Sequence, residues 1–241
     1  MRVSKTLSCL LGLTVCAAFA QTPPTKTIAD FMGYKVRLTT PRLGNSGIAE
    51  GDAKVCFERT GESQCFSFPN HEGASHAPIG LNPELELIQL GKLGSAVLFS
   101  ATQYAGGSGG TVHISLLRPG DEKSIDDYLL SDINLSMQSE HAFWSEPTIS
   151  PTPIFITADY IWGPGEAHIG DHRYIVSAYT LRPEPILGSD PMRYALDDRF
   201  MTIRTYQGRG EFEILVSEKA EILARLKRVK AERERQASQP R

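Results

Sequence analysis

The sequence has few cysteines and tryptophans and no long hydrophobic run. Its 241 residues include four cysteines and two tryptophans, with 41% hydrophobic and 22% charged residues. No apolar stretch reaches the roughly 18 residues that a membrane-spanning helix needs, which excludes a helical membrane protein. The net charge of −3 is far from the strongly basic balance of proteins that wrap nucleic acid. The composition is instead typical of an ordinary globular protein.

Residues 1–20 have the three parts of a secretory signal peptide. Arg2 and Lys5 provide a positive start, and residues 7–17 form an apolar run that is too short to span a bilayer. Ala18-Phe19-Ala20 then forms a small-x-small cleavage site. We therefore expect the mature chain to be periplasmic or secreted.

Two further features lie near the predicted cleavage site: a cysteine that could carry a lipid, and a polar leader. Cys16 lies near the end of the apolar run, but Val15 before it is larger than the residue that bacterial lipidation sites usually carry. We therefore expect free export and no lipid anchor. The polar residues 21–27, which include two prolines, are predicted to form a flexible leader. A single β-rich domain is then expected over residues 28–241.

Removal of the signal peptide leaves two cysteines, Cys56 and Cys65, in an oxidising compartment, where such a pair usually forms a disulfide. Apolar and polar residues alternate on both sides of a turn at residues 59–63, which predicts a β-hairpin with the cysteines opposite each other. The redox-active spacing Cys-x-x-Cys is absent. The sequence therefore predicts a structural disulfide.

Short β-rich runs separated by Gly, Pro, Asn and Asp continue from the leader to about residue 206. Because most connections are too short for crossover helices, we expect antiparallel pairing. Residues 96–99 are continuously apolar, which is typical of a strand covered on both faces. Residues 124–130 could form one helical turn or two. The predicted strands are 34–39, 54–58, 64–68, 84–90, 96–103, 111–117, 154–161, 174–181 and 200–206.

The composition changes at Val216, after which an amphipathic helix is predicted over residues 217–236. Ser217 is a suitable N-cap residue, and acidic residues in the first turn and basic residues near the end complement the helix dipole. An apolar stripe is expected to dock this helix on the sheet: Ile222, Leu223, Leu226 and Val229. The sequence therefore predicts a mainly β fold, an antiparallel sandwich or strongly bent sheet, with one C-terminal amphipathic α-helix.

The charge of the chain is unevenly distributed. Residues 217–241 carry eight Lys and Arg against four Glu, which leaves a net charge of −9 on residues 21–216. This acidic body argues against a nucleic-acid partner. The basic helix could make weak contact with an anionic surface, although such a run is more often the solvated face of a helix.

Residues 106–110 formally match the G-x-S-x-G nucleophile elbow, with Ser108 as the nucleophile. That elbow requires a helix after the serine, whereas the β-branched residues 111–117 favour a hairpin strand. No Lys-Ser/Thr pair follows the glycines, so a phosphate-binding loop is also disfavoured. We interpret this segment, and the polar cluster at 71–76 with Ser75, as loops.

The segment 162–172 concentrates aromatic and titratable residues between two predicted strands. His168 and His172 lie four residues apart with Asp171 between them and resemble the H-x-x-E-H metal signature. That spacing brings both imidazoles to one face only on a helix, and the neighbouring Pro and Gly residues disfavour a helix. In a loop the two histidines could still meet, with a third ligand from one of three residues: Glu166, His113 or His141.

No nucleophile–base pair has a convincing spacing, so the leading hypothesis is an exported, non-enzymatic binding protein without a cofactor. A protein partner in the envelope or outside the cell is favoured over a small ligand. The action would be steric, as for an inhibitor or immunity-type protein. The predicted contact residues lie on loops 141–150 and 162–172: Trp144, Trp162, Glu166, His168, Asp171 and His172.

Two alternatives stay open. The first is a metal-assisted hydrolase, with His168 and His172 as ligands and Glu166 or Asp171 as general base. The second is an envelope-associated accessory protein held by the basic helix. Each tryptophan also has a structural alternative, because a tryptophan packs into a core more often than it contacts a partner.

Overall fold

A computed structural model describes residues 25–45, 47–69, 77–106, 109–129, 133–161, 163, 166, 170–183, 191–207 and 213–239. The predicted signal peptide, with Cys16, lies outside these residues. Within them, the chain forms three antiparallel sheets and one long α-helix. None of the described helices has the length and apolar character needed to cross a membrane.

The sheets follow one another in chain order. The first sheet contains β1 (Thr25–Phe31), β2 (Tyr34–Thr39), β3 (Lys54–Arg59) and β4 (Glu62–Phe66). The second sheet contains β5 (Ile79–Gln89), β6 (Ser95–Gly106), β7 (Gly109–Pro119) and β8 (Ile125–Asp127), and β9 (Asn134–Ser136) also pairs with β7. The third sheet contains β10 (Glu140–Trp144), β11 (Ile154–Ile161), β12 (Arg173–Pro183) and β13 (Met192–Met201). The helix α1 spans Glu213–Ala237.

Three hydrophobic cores lie between these layers. In β6, Val97 and Phe99 belong to the core against the first sheet, whereas Ala96 and Leu98 belong to the core against the third sheet. All four side chains are buried. Because successive residues of a strand point to opposite faces, a continuously apolar run is what a middle layer requires. The prediction of a strand covered on both faces is confirmed.

The third sheet is also covered on both faces. Phe155 of β11 packs toward the second sheet, and its neighbours Ile154 and Ile156 pack toward α1. Of the predicted stripe residues, Ile222 and Leu226 are buried in this outer core, and Leu223 packs against it. The molecule is therefore a stack of four layers, with three sheets followed by the helix. The predicted mainly β, antiparallel fold with one C-terminal helix is confirmed.

The predicted cysteine hairpin is present. Cys56 and Cys65 are direct partners on β3 and β4, and their sulfur atoms lie at bonding distance, 2.02 Å apart. Gly61 adopts a φ of +79° in the turn, a conformation that glycine tolerates best. On either side of the turn, Arg59 and Glu62 form an ion pair at 2.6 Å. The predicted disulfide is confirmed.

Several element types and boundaries differ from the predicted ones. Strand β1 begins at Thr25, inside the predicted flexible leader, because residues 25–27 pair with β2. Residues 125–127 form strand β8 and not a helical turn, since they pair with the end of β7. The last strand is β13, so the predicted strand 200–206 overlaps it only at its end.

The helix begins at Glu213 and not after Ser217, which lies inside it. Its N-terminus is capped by Glu140 of β10, whose carboxylate oxygens accept the backbone N–H groups of Ile214 at 3.1 Å and Leu215 at 2.9 Å. Burial raises the pKa of this carboxyl, and the backbone donors oppose that rise. Because the cap comes from a distant strand, the local sequence around Ser217 does not reveal it.

Candidate functional site

Trp144 lies at the end of β10 and not on a loop, because residues 140–144 pair with β11. Its side chain packs against the core between the third sheet and α1. The ammonium group of Lys219 lies 5.1 Å from the centre of the indole ring. Trp144 is therefore a half-buried residue that packs against the core, and the predicted loop 141–150 begins as a strand.

In the segment 162–172, Trp162 and His168 lie outside the described residues. Glu166 and His172 meet: the carboxylate Oε2 lies 2.8 Å from the imidazole Nδ1 and also accepts the Gly163 N–H at 2.8 Å. The Gly163 hydrogen bond, followed by the bond to His172, lowers the pKa of Glu166. Asp171 is exposed. The structure therefore brings two of the predicted contact residues together.

His172 is a buried connection between two chain segments. Its backbone N–H and C=O bind Tyr206 at 2.9 and 2.8 Å, and its ring lies 5.3 Å from that of Tyr160, centre to centre. No part of its side chain is exposed. Strands β11 and β12 flank the segment, as predicted. The backbone hydrogen bonds of His172 therefore join the segment between β11 and β12 to the chain that follows β13.

The other two candidate histidines lie on different layers. His113 of β7 packs against Phe68, a residue of the core on the first-sheet side. His141 belongs to β10 of the third sheet, and burial lowers its pKa while Glu84 opposes this shift. His113 and His172 therefore lie on different layers, and His113 is not placed to serve as the third ligand beside His172. Across the described part of the chain, no three His, Cys, Asp or Glu side chains are grouped to hold a metal ion.

A groove of about 410 Å³ runs between the end of β13 and the first half of α1. We call it the β13–α1 groove. Its lining residues come from two segments that are adjacent in space: Phe200, Met201, Ile203, Arg204, Ser217, Glu218, Ala220, Glu221 and Arg225.

The exposed wall of the groove follows from how β13 ends. The hydroxyl of Thr202 accepts the N–H of Tyr174 at 3.0 Å and donates to the carbonyl of Arg204 at 2.8 Å. These bonds turn the backbone away from the sheet, so that Ile203 is 93% exposed. Met201 before the turn is 51% exposed. Two large apolar side chains therefore stand at the groove in contact with water.

Most charges at the groove are already paired. The guanidinium of Arg225 binds Glu221 at 2.7 Å and Asp198 at 3.5 Å, and it lies 4.4 Å above the ring of Phe200. Arg204 also lines the groove, and within the described residues it forms no ion pair. One wall of the groove therefore presents a cation beside an exposed isoleucine.

Tyr206 joins the predicted loop residues to this groove. Its backbone binds His172, and its hydroxyl donates to Glu218 of the groove wall at 2.5 Å. Burial, together with this carboxylate, raises the pKa of Tyr206 to about 12. The Glu166–His172 pair therefore supports the groove from behind and does not line it.

Sequence reasoning missed the residues of the groove itself. The sequence places Ile203 in a regular strand, in which alternate residues are buried. It predicts Ser217 as the N-cap and Glu218 as part of the first turn of an amphipathic helix. The only local signal is an apolar residue between Thr202 and Arg204 at the end of a strand, and it does not identify the partner element.

Comparison of the chain with protein-family models, with curated proteins and with solved structures found no match.

Proposed function

We propose that the chain is an exported, non-enzymatic binding protein that engages a protein partner through the β13–α1 groove. It would act sterically, as an inhibitor or immunity-type protein does. The observation that carries this proposal is the exposure of Ile203 beside the apolar surfaces of Phe200 and Ala220. Burying one such side chain in a complex contributes about 1.5–3 kcal/mol.

The charges at the groove define the chemistry of the partner. Arg204 forms no ion pair within the described residues, while Glu221 and Arg225 pair with each other. An acidic side chain on the partner would complement this cation, and an adjacent apolar side chain would cover Ile203. The proposed occupant is therefore a protein segment that carries an apolar residue next to Asp or Glu.

The described geometry gives less support to the hydrolase alternative. The imidazole of His172 is buried, and its Nδ1 is occupied by Glu166. A general base or metal ligand must reach the substrate or the ion, and this ring reaches neither from its present position.

The envelope-associated alternative has to account for the ion pairs of α1. Arg225 binds Asp198, and Arg233 binds Asp197 at 2.5 Å. These carboxylates neutralise part of the basic charge that would contact an anionic surface. Weak contact through the exposed cations of the helix is a secondary proposal.

Site-specific crosslinking tests the groove. Ile203 is replaced by p-benzoylphenylalanine in the mature chain, and the protein is irradiated in a periplasmic extract of the organism that makes it. The matched control carries the crosslinker at Leu87, which is also exposed but lies on β5 of the second sheet. We expect one defined protein adduct from position 203 and none of that mass from position 87.

Charge reversal then tests the partner chemistry. Arg204→Glu in the crosslinker variant should remove the adduct, whereas Lys92→Glu, at an exposed position of the turn between β5 and β6, should leave it unchanged. Equal adducts from positions 203 and 87, or an adduct that survives Arg204→Glu, would refute the proposed site.

A further inference from the structure

A second cavity, of about 240 Å³, lies between β9 and the third sheet. We call it the Asp159–Arg199 cavity. Its wall combines apolar, hydroxyl and charged side chains: Ile133, Asn134, Leu135, Thr157, Asp159, Ile175, Ser177, Tyr179 and Arg199. It opens on the face of the third sheet that packs toward the second sheet.

This cavity arises where one face of the third sheet changes from apolar to polar. Phe155 and Tyr179 are cross-strand partners and close the core against the second sheet. Two residues further along β11, Thr157 pairs with Ser177, which in turn pairs with Arg199 of β13. Thr157 and Ser177 are only 3% and 4% exposed. A polar row therefore continues a buried apolar face, and this pattern is typical of a site that receives a polar group.

Each charged side chain of the cavity uses only some of its hydrogen-bonding atoms within the described residues. The Arg199 Nε donates to the Ser177 hydroxyl at 3.1 Å, and within the described residues its two terminal nitrogens have no partner. The Asp159 Oδ1 accepts the Ser136 N–H at 3.1 Å and the Ser136 hydroxyl at 2.5 Å. Oδ2 makes no hydrogen bond to a described residue. Arg199 is exposed and Asp159 is half-buried, so each side chain keeps donors or an acceptor that a ligand can reach from solvent.

Asp159 and Arg199 do not pair with each other within the described residues, although they line the same cavity. A ligand that carries both charges would satisfy the two side chains together. Its carboxylate would receive the paired donors of Arg199, the strongest hydrogen-bond geometry that a side chain offers to a carboxylate. Its ammonium would donate to Asp159.

We infer that the Asp159–Arg199 cavity binds a small zwitterion of the amino-acid class. Apolar side chains at Ile133, Leu135 and Ile175 favour an aliphatic side chain on the ligand. The volume lies below the roughly 300 Å³ at which cavities for drug-sized ligands begin, which fits a single amino acid. The site faces away from α1, so it is independent of the β13–α1 groove.

Calorimetric titration of the full mature chain tests this inference with three probes. L-leucine carries both charges, N-acetyl-L-leucine lacks the ammonium, and L-leucinamide lacks the carboxylate. We expect saturable binding of L-leucine, and each blocked analogue should bind about tenfold more weakly or worse because it loses a charge-assisted hydrogen bond. Equal affinity for all three probes, or no saturable binding of L-leucine, would overturn the inference.

Two variants assign the charges. Asp159→Asn keeps the Oδ1 acceptor for Ser136 but removes the negative charge, so binding of L-leucine should fall about tenfold while binding of N-acetyl-L-leucine is unchanged. Arg199→Gln should weaken both of these probes. Asp171→Asn, a change at an exposed carboxylate, is the control and should alter neither. Binding of L-leucine that survives Asp159→Asn and Arg199→Gln would refute the assignment, with thermal unfolding used to verify that each variant is folded.

Discussion

Asp127 illustrates how folding changes the chemistry of a single residue. Its Oδ1 accepts two backbone N–H groups, from Leu116 and Leu129, each at 3.0 Å. Burial nevertheless dominates these bonds and raises the pKa to about 6 from the ordinary value of 3.8. The carboxylate therefore organises the end of β8 and the residues that follow it, and it holds a partly dehydrated charge at neutral pH.

This shift predicts a measurable dependence of stability on pH. Because the folded pKa of Asp127 lies above the unfolded one, the folded protein binds the additional proton first as the pH falls. The carboxyl should therefore add stability, on the order of 2 kcal/mol, between about pH 6 and pH 4. Urea unfolding at several pH values gives the free energy of unfolding of the wild type and of Asp127→Asn. Between pH 6 and pH 4, the wild type should gain stability relative to Asp127→Asn as the pH falls. Asp126→Asn, next to it and exposed, should keep the wild-type slope.

The Glu166–His172 pair shows that proximity alone does not define a site. Both residues were predicted contacts, and both lie in one hydrogen-bonded cluster. The imidazole is buried, however, and its carboxylate partner Glu166 is the exposed member of the pair. At the residue scale, the sequence therefore identified two residues, Glu166 and His172, that bind each other and hold the local structure. It did not identify Ile203, which is exposed at the neighbouring groove.

At the scale of elements, α1 depends on a cap that another strand provides. Glu140 is buried and binds the first N–H groups of the helix, a role that a local Ser, Thr, Asp or Asn usually fills. The helix also uses Arg225 and Arg233 to bind Asp198 and Asp197 of β13. The helix and the third sheet therefore stabilise each other at both ends of their contact.

Removal of this cap should weaken the helix more than an ordinary surface change. Glu140→Ala should lower the free energy of unfolding by about 1–2 kcal/mol, since two buried N–H groups lose their acceptor. Glu140→Gln keeps one acceptor oxygen and should lie between wild type and Glu140→Ala. Denaturant unfolding gives these values, and amide exchange at Ile214 and Leu215 should accelerate. Glu86→Ala, at an exposed position of β5, should change neither measurement.

The strands differ in how well their sequences predicted them. The bounds of β2 and β11 agree with the predicted 34–39 and 154–161, because regular alternation or a buried run ends there at turn residues. Strand β13 was largely missed because it contains Asp197 and Asp198, which strands disfavour. Asp197 is only 3% exposed at its side chain, and its charge is balanced by Arg182 and Arg233. Residues that are distant in sequence thus make this strand possible.

At the scale of the whole molecule, the layers are stacked in chain order. The disulfide lies in the first layer, whose core is shared with one face of the second sheet. The groove and the helix lie at the opposite end, on the outer face of the third sheet. The disulfide therefore constrains a layer that is separate from both proposed binding sites.

Replacement of both cysteines tests this separation. Cys56→Ser with Cys65→Ser should lower the free energy of unfolding by about 2–3 kcal/mol, since a ten-residue loop is no longer closed in the unfolded state. Amide exchange should accelerate in β1 to β4 and stay close to wild type in β10 to β13. Serine replacement preserves side-chain size, and reduction of the wild type should reproduce the effect. Faster exchange throughout the third sheet would contradict the layered picture.

The sequence by itself determined the fold class, most strands, the disulfide and the docking stripe of the helix. These features depend on alternation, turn residues and helical spacing within a few neighbouring positions. Only the tertiary structure decided which exposed apolar and charged side chains lie together in a groove or cavity. The β13–α1 groove joins residues 200–204 to residues 217–225, and Asp159 of β11 and Arg199 of β13 line one cavity with β12 between them. Such convergence depends on strand register and layer order, which local composition does not encode.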